Sequence, residues 1–263
     1  SWRFRIMSEL RINNITDRVG SSGPIIAGVS TVTSTSHMVM PSGPTEFRGG
    51  RGRGAFGGGR DNPTYYADMN FVEIATTGNG QDFGDMDAAK NGILGGTASS
   101  TRGIVAGGYV GSPGAVVSTI IYYTSSSAGG ATDFGDLTAA NNQPSGASNN
   151  RLAIIAGEYP SYNQRSLQFI TIATTGNATL FGDLVGPDIG SGGISSPTRG
   201  IIHGIDRNGP TLKMTQFFEI ATTGNAEEFG ELFQGYKAQG GASSSTRGLS
   251  MAGYINSSTQ SNG

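Results

Sequence analysis

In the short apolar stretches 71–75 and 169–173, every second residue falls on one face, and the two faces differ in polarity. A period of two is typical of a pleated strand with one buried and one exposed face. Several of these stretches run into the same Thr-Thr-Gly-Asn sequence, at residues 76–79, 174–177 and 222–225. Glycine and asparagine accept the positive φ that tight turns require. The pattern therefore predicts short antiparallel strands joined by turns.

The same pattern recurs along the chain. Four segments share an apolar strand, a turn and a Phe-Gly-Asp or Phe-Gly-Glu end: residues 70–86, 119–137, 168–184 and 216–232. Between them, small residues precede an arginine and an apolar run that ends in glycine. Its arginines recur every 48 or 49 residues, at Arg53, Arg102, Arg151, Arg199 and Arg247. The chain is thus predicted to contain five repeats of one structural unit.

Each period is expected to hold four strands. In the second repeat we expect them near Ile93–Ser99, Gly103–Tyr109, Thr119–Thr124 and Thr132–Leu137. A single sheet of this size cannot bury its faces, so neighbouring units must pack on one another. Four strands in about 48 residues fit a propeller blade better than a solenoid coil.

Composition narrows the function classes. Of the 263 residues 44 are glycine and none is cysteine, which argues against a helical bundle and excludes disulfides and thiolate chemistry. The formal net charge of −2 gives no general attraction to nucleic acid or to anionic membranes. The sequence contains neither an apolar run of membrane-spanning length nor a secretion signal, which predicts a soluble protein without a membrane partner.

The order of the motifs resembles the kelch repeat over roughly residues 50–254. An apolar strand ends in Gly107-Gly108, aromatic residues Tyr122 and Tyr123 lie in the next strand, and an aromatic-x-x-Leu strand follows at Phe134–Leu137. The resemblance implies an all-β fold, a five-bladed kelch-like β-propeller with an extended N-terminal arm.

The ends of the chain carry two further expectations. Five arginine strands but only four Phe-Gly-Asp or Phe-Gly-Glu strands predict an incomplete fifth blade. The β-branched stretch Ser30–Ser36 favours closure of the ring by a strand within residues 25–40, so that the propeller spans residues 25–263. Residues 1–24, with an apparent natural start at Met7, are expected to be either a disordered terminus or an arm that attaches to another subunit.

Three sets of side chains recur once per repeat. The phenylalanines are expected in the core between blades: Phe83, Phe134, Phe181 and Phe229. The recurring acids are Asp85, Asp136, Asp183 and Glu231. They either form a ring that binds Ca²⁺ or a glycan, or pair with the recurring arginines and hold the blades in register. We favour the pairing, because a chemical site is not needed in every blade. No catalytic triad, paired-carboxylate site, metal site or cofactor motif is recognised.

The N-terminal sequence from Met7 and the Ala-Thr-Thr-Gly-Asn and Phe-Gly-Asp repeats also resemble structural proteins of tailed phages that infect marine cyanobacteria. This resemblance implies a non-enzymatic virion protein: a tail fibre, spike or capsid decoration. It would contact other virion proteins through its arm and form homo-oligomers in the particle. A glycan-degrading enzyme on a propeller scaffold and an intracellular kelch-type adaptor are the alternatives.

The joins between strands differ most among the repeats, so they are expected to form display loops for a host-surface glycan. Three such joins are Val110–Val117, Glu158–Arg165 and Asp206–Leu212. Tyr109, Tyr159 and Tyr162 are the candidate binding residues, because tyrosine can stack on sugar. Four arginines among the glycines of residues 48–60 resemble an RNA-binding box, but Arg53 is in register with the other repeats, so a folded role and no nucleic-acid partner are predicted.

Overall fold

The structure is a computed structural model. It describes residues 25–26, 30–31, 52–74, 76–93, 97–112, 114–157, 165–186, 192–203, 213–235, 240–244, 246–251, 253–255 and 259–260. By its internal contacts the chain divides into residues 1–44 and residues 45–263. In the first unit, β1 (Ile25–Ile26) pairs antiparallel with β2 (Ser30–Thr31). The expected arm of residues 1–24 and most of the closing segment 25–40 lie outside the described residues.

Every helix or strand in the described part of the second unit is a strand. In chain order they are β3 (Arg53–Gly57), β4 (Arg60–Asp61), β5 (Thr64–Tyr65), β6 (Asp68–Glu73), β7 (Gln81–Asp85), β8 (Lys90–Asn91), β9 (Thr97–Ala98), β10 (Arg102–Ala106), β11 (Tyr109–Val110), β12 (Ala115–Val116), β13 (Thr119–Thr124), β14 (Thr132–Asp136), β15 (Ser145–Ser148), β16 (Leu152–Ala156), β17 (Ser166–Thr171), β18 (Thr179–Asp183), β19 (Gly192–Ser195), β20 (Arg199–His203), β21 (Met214–Glu219), β22 (Glu227–Glu231), β23 (Gly240–Ser243), β24 (Gly248–Met251), β25 (Tyr254–Ile255) and β26 (Thr259–Gln260).

The repeats form separate small antiparallel sheets. The second, third and fourth repeats each have four strands in the order predicted from the sequence: β9-β10-β13-β14, β15-β16-β17-β18 and β19-β20-β21-β22. The described strands of the first repeat are β3-β6-β7, and those of the fifth are β23-β24. The all-β class and the four-stranded unit are therefore confirmed.

A β-bulge lies at the Phe-Gly pair of each outermost strand. Opposite Leu167 and Gln168, for example, β18 presents Gly182 and Leu180, so Phe181 is the extra residue. The same shift occurs in the other three such strands. The bulge places an aromatic ring at every repeat boundary and explains the glycine that follows it.

The second, third and fourth repeats each hydrogen-bond to the outermost strand of the repeat before them. Between the second and third repeats, the N–H of Gly176 donates to the carbonyl of Phe134 at 2.8 Å, and the N–H of Ala178 donates to that of Asp136 at 2.8 Å. The Asn177 side-chain oxygen accepts from the N–H of Asp136 at 3.0 Å. The backbone pair recurs at the boundary before and the one after. The Thr-Thr-Gly-Asn turn thus joins two repeats.

A second connection runs along the innermost strands. The Ser148 hydroxyl donates to the carbonyl of Ala98 at 3.0 Å, and the Ser195 hydroxyl donates to that of Ser148 at 2.8 Å. The N–H of Ser195 in turn donates to the Ser243 hydroxyl oxygen at 3.2 Å. Gly146 and Gly193 allow this approach, since a Cβ on Gly193 would overlap the carbonyl of Gly146. Four consecutive repeats are therefore linked on their inner side.

The recurring phenylalanines at the repeat boundaries are buried, with one exception. Phe83, Phe134 and Phe181 are at most 5% exposed, whereas Phe229 is 56% exposed. The hairpin of the following repeat covers the first three rings, and no described residue of the fifth repeat provides such a hairpin over β22. The prediction of a core position is therefore wrong for Phe229.

The alignment of the arginines also needs one correction. The turn before Arg102 is held by the Ser99 hydroxyl, which accepts the N–H of Arg102 at 3.1 Å. In the third repeat the Asn149 side chain holds that turn, and the equivalent N–H belongs to Leu152. Arg151 therefore lies one residue before the strand, and its side chain is exposed. A slip of one residue moves a side chain to the other face, which explains its different environment.

Candidate functional site

The sheet order brings two sets of joins to the same end of the strands. In an antiparallel four-stranded unit, the join between the second and third strands and the join that leads into the next repeat leave from the same end. The segments 58–67 and 107–118 are of the first kind, and 86–96 and 137–144 are of the second. Residues from different repeats can therefore meet at this end.

In the first two repeats these joins fold into small sheets. Strand β4 pairs with β5, and β11 pairs with both β12 and β8. Backbone hydrogen bonds join the two sheets, because the N–H of Gly59 donates to the carbonyl of Lys90 at 3.0 Å. Lys90 itself is buried and forms an ion pair with Asp87 at 2.8 Å. These joins are thus connected by ordered hydrogen bonds.

Two tyrosines pack together where the small sheets meet. The ring centroids of Tyr65 and Tyr109 are 5.9 Å apart with the planes tilted by 37°, and both residues are half-buried. A Cβ on Gly111 would overlap the Tyr65 ring. Gly114, at φ +87°, leaves only 3.0 Å between such a Cβ and the Tyr109 hydroxyl. Gly111 and Gly114 therefore leave the space that the two rings occupy.

A cavity of about 270 Å³ opens beside these rings, and we call it the loop pocket. It is lined by Arg60, Tyr65, Asn91, Gly92, Tyr109, Asn142 and Gln143. Aromatic rings, one cation and several amides are the side chains that recognise polar organic ligands.

Arg60 is exposed at the pocket. Its guanidinium carbon lies 5.7 Å from the centroid of the Tyr65 ring, and Nη1 donates to the Tyr65 hydroxyl at 3.4 Å. Among the described residues it has no carboxylate partner: Asp61, the next residue on β4, makes no ion pair with it.

The amide side of the loop pocket comes from the segment between the second and third repeats. The N–H of Gln143 donates to the carbonyl of Gly92 at 2.6 Å, and Gln143 adopts φ +61°. The Asn142 side-chain oxygen is buried and has no hydrogen-bond partner among the described residues. An asparagine and a glutamine that sequence patterns left aside therefore belong to this site.

Most of the recurring arginines have structural contacts. Arg53 forms an ion pair with Glu73 at 2.9 Å and lies 4.2 Å from the centroid of Phe71. Arg102 lies 4.5 Å from the centroid of Tyr122, and its Nη1 donates to the carbonyls of Ile172 and Ala173 of the next repeat at 3.0 Å. Arg199 pairs with Glu219 at 2.6 Å. Arg247, like Arg151, is exposed.

The recurring acids differ from the expectation. Asp85, Asp136, Asp183 and Glu231 are exposed, and none forms an ion pair within the described ranges. Arg53 and Arg199 instead pair with Glu73 and Glu219 on the neighbouring strand of their own sheet, because these cross-strand partners stand directly opposite each other. The part of the chain that the structure describes contains no cluster of three potential metal ligands.

Only one of the three candidate tyrosines lies among the described residues. Tyr109 lies in the loop pocket, whereas Tyr159, Tyr162 and most of the joins at 158–165 and 206–212 lie outside the described residues. The sequence patterns point to neither Tyr65 nor Asn91, and they place Arg60 only in the segment that resembles an RNA-binding box. The adjacent tyrosines at 65 and 66, in the first repeat's equivalent of the Val110–Val117 join, were the available signal.

No protein-family model and no curated protein matches the sequence. Among the described residues, no helix has the length and hydropathy to cross a membrane.

Proposed function

We propose that the chain is a non-enzymatic display protein of a phage virion, and that it presents its loop pocket to the host surface. The observation that carries this proposal is a difference between the strands and the joins of the repeats. Contacts that link the repeats recur from boundary to boundary, whereas the joins at one end of the strands differ in sequence and, in the first two repeats, enclose a pocket. A rigid scaffold with variable loops is a common arrangement for binding.

The two resemblances noted in the sequence extend this proposal. The particle would be that of a tailed phage infecting marine cyanobacteria, and the chain would be a tail fibre, spike or capsid decoration. Residues 1–24 would attach it to other virion proteins, and several copies on one particle would add avidity.

Adsorption to host cells tests the binding role. The fluorescently labelled chain should adsorb to cyanobacterial cells, and Tyr109→Ala should reduce that adsorption severalfold because it removes one wall of the loop pocket. Tyr66→Ala is the matched control, since Tyr66 is exposed and does not line the pocket. Equal adsorption of both variants and the native chain would reject host binding through this pocket and leave an architectural role in the particle.

We further propose that the repeats close into a five-bladed propeller through a strand within residues 25–40. Residues of all five repeats line one cavity of about 580 Å³, including Ala55, Gly146 and Gly241, which supports a ring. Strand β24 pairs only with β23 among the described strands, and Leu249 on it is 62% exposed. An added strand on that edge would extend the fifth blade and cover its open side.

Deletion of residues 1–40 tests this closure. A chain that loses its closing strand should melt at a lower temperature, because the fifth blade would lose a pairing partner. Deletion of residues 1–24 alone is the control and should leave the melting temperature unchanged. If both deletions melt like the full chain, residues 25–40 do not close the ring.

A further inference from the structure

We infer that the loop pocket recognises an acidic sugar unit, a pyranose ring that carries a carboxylate or a sulfate. This inference rests on the proposed binding role of the pocket and adds the chemical class of its ligand.

The charge of the ligand follows from Arg60. Its exposed guanidinium has five N–H donors, and the Tyr65 hydroxyl accepts from it only at 3.4 Å. No carboxylate among the described residues pairs with it, so the remaining donors can face a ligand. A planar guanidinium binds carboxylate or sulfate oxygens in pairs and favours them over neutral groups. Since Arg60 is the only cationic side chain among the described residues of the lining, one negative charge is matched.

The ring of the ligand follows from the tyrosines. Tyr65 and Tyr109 give the pocket two half-exposed aromatic surfaces with hydroxyl groups at their edges. The C–H faces of a pyranose pack on such surfaces, and its hydroxyls bond to polar groups at their rim. The two rings pack on each other, and Gly111 and Gly114 leave the room that they occupy, so the packed rings lose little side-chain entropy when a ligand binds.

The remaining lining suits hydroxyl groups. Asn91, Asn142 and Gln143 carry amides, which both donate and accept hydrogen bonds. The cavity of about 270 Å³ offers space for a single sugar ring, which favours a terminal or side-chain unit of a surface polysaccharide over a long buried chain.

The inference can be tested with methyl glucuronoside, glucose 6-sulfate and the neutral methyl glucoside, added to the full chain while NMR chemical shifts or heats of binding are followed. One or both anionic probes should bind about tenfold more tightly than the neutral one, as one charge-assisted pair implies. The preference should weaken when the ionic strength rises from about 0.01 M to 0.15 M. Comparison of the two anionic probes distinguishes a carboxylate from a sulfate.

Two variants separate the site from the scaffold. Arg60→Gln keeps much of the length of the side chain and should abolish the preference for the anionic probes. Lys213→Ala removes an exposed cation of the fourth repeat that does not line the pocket, and should leave the preference intact. Equal binding of charged and neutral probes, no binding of any probe, or a preference that survives Arg60→Gln would each overturn the inference.

These results are independent of the adsorption assay. Adsorption that depends on Tyr109 without any preference for the anionic probes would keep the display function and reject the acidic ligand. Selective binding of an anionic probe by a chain that does not adsorb to cells would keep the pocket assignment and reject the host-surface role.

Discussion

The N–H of Gly176 donates to the carbonyl of Phe134 across the boundary between the second and third repeats, at 2.8 Å. Gly135, next to Phe134, faces the same turn, because a Cβ on it would stand 2.5 Å from the carbonyl oxygen of Gly176. This close backbone contact recurs at the boundaries before and after. Gly230 differs, because a Cβ on it would meet no atom of the described residues within 4 Å.

Gly135→Ala and Gly230→Ala form a matched pair. Both glycines have a positive φ, of 145° and 147°, so both variants carry similar backbone strain. Only Gly135→Ala also pushes the next repeat away. We expect it to lower the free energy of unfolding by about 1–3 kcal/mol more than Gly230→Ala, measured by urea denaturation. Equal losses would mean that the boundary contact contributes nothing.

Substitution of a buried recurring phenylalanine should likewise destabilise the chain more than substitution of the exposed one. Phe181→Ala removes a buried ring that packs at 5.8 Å against Phe218, and should cost about 3–5 kcal/mol. Phe229→Ala removes a ring that is 56% exposed and should cost less than about 1.5 kcal/mol. Thermal melting of the two variants checks this order. A large loss for Phe229→Ala would show that its ring is covered in solution.

Arg102→Ala should destabilise the chain by about 1–2 kcal/mol, because it removes two hydrogen bonds to the next repeat and a contact with the Tyr122 ring. Arg151→Ala is the control. Its side chain is exposed and has no partner in the described ranges, so its change should stay within about 0.5 kcal/mol. Similar effects of the two substitutions would show that the contacts of Arg102 with the next repeat contribute no more stability than an exposed side chain does.

The free energy of unfolding should depend on alkaline pH through Tyr123. Burial raises the pKa of its phenol above the ordinary value of 10.0. The folded state therefore holds this proton more tightly than the unfolded chain does. The resulting stability is complete below pH 10 and is lost as the pH rises from there toward the folded-state pKa.

Tyr123→Phe has no phenol to ionise, so its free energy of unfolding should fall less than that of the native chain between about pH 9 and 11. Urea denaturation at a series of pH values measures the difference. Parallel pH profiles of the two proteins would show that the phenol ionises equally easily in the folded and unfolded states.

The strands could be predicted because each repeat carries its own local signals. Alignment of the repeats predicted β13 and β14 to within a residue, and the Thr-Thr-Gly-Asn turns lie between strands as expected. The glycines after Arg102 and Arg199 have an explanation that only the sheet shows. The Tyr123 ring lies over Gly103 and the Phe218 ring lies over Gly200, each from the opposite strand, and a Cβ would overlap the ring.

The register of Arg151 could not be predicted from spacing. In the sequence, the arginines still align when the repeat length varies by one residue, so their spacing does not show that Arg151 is shifted. The turn hydrogen bonds of Asn149 decide that Leu152, and not Arg151, starts the strand. Side-chain environment depends on the parity of the strand, so one residue changes it completely.

By itself, the sequence determined the repeat, the all-β class and the four-stranded antiparallel unit, because these depend on residues that are close along the chain. The tertiary structure decided which aromatic rings are covered and which acids the arginines contact. It also decided that Arg60, Tyr65, Tyr109 and Asn142 share one pocket. These residues are spread over more than 80 positions from Arg60 to Asn142, and only the packing of consecutive sheets brings their joins together.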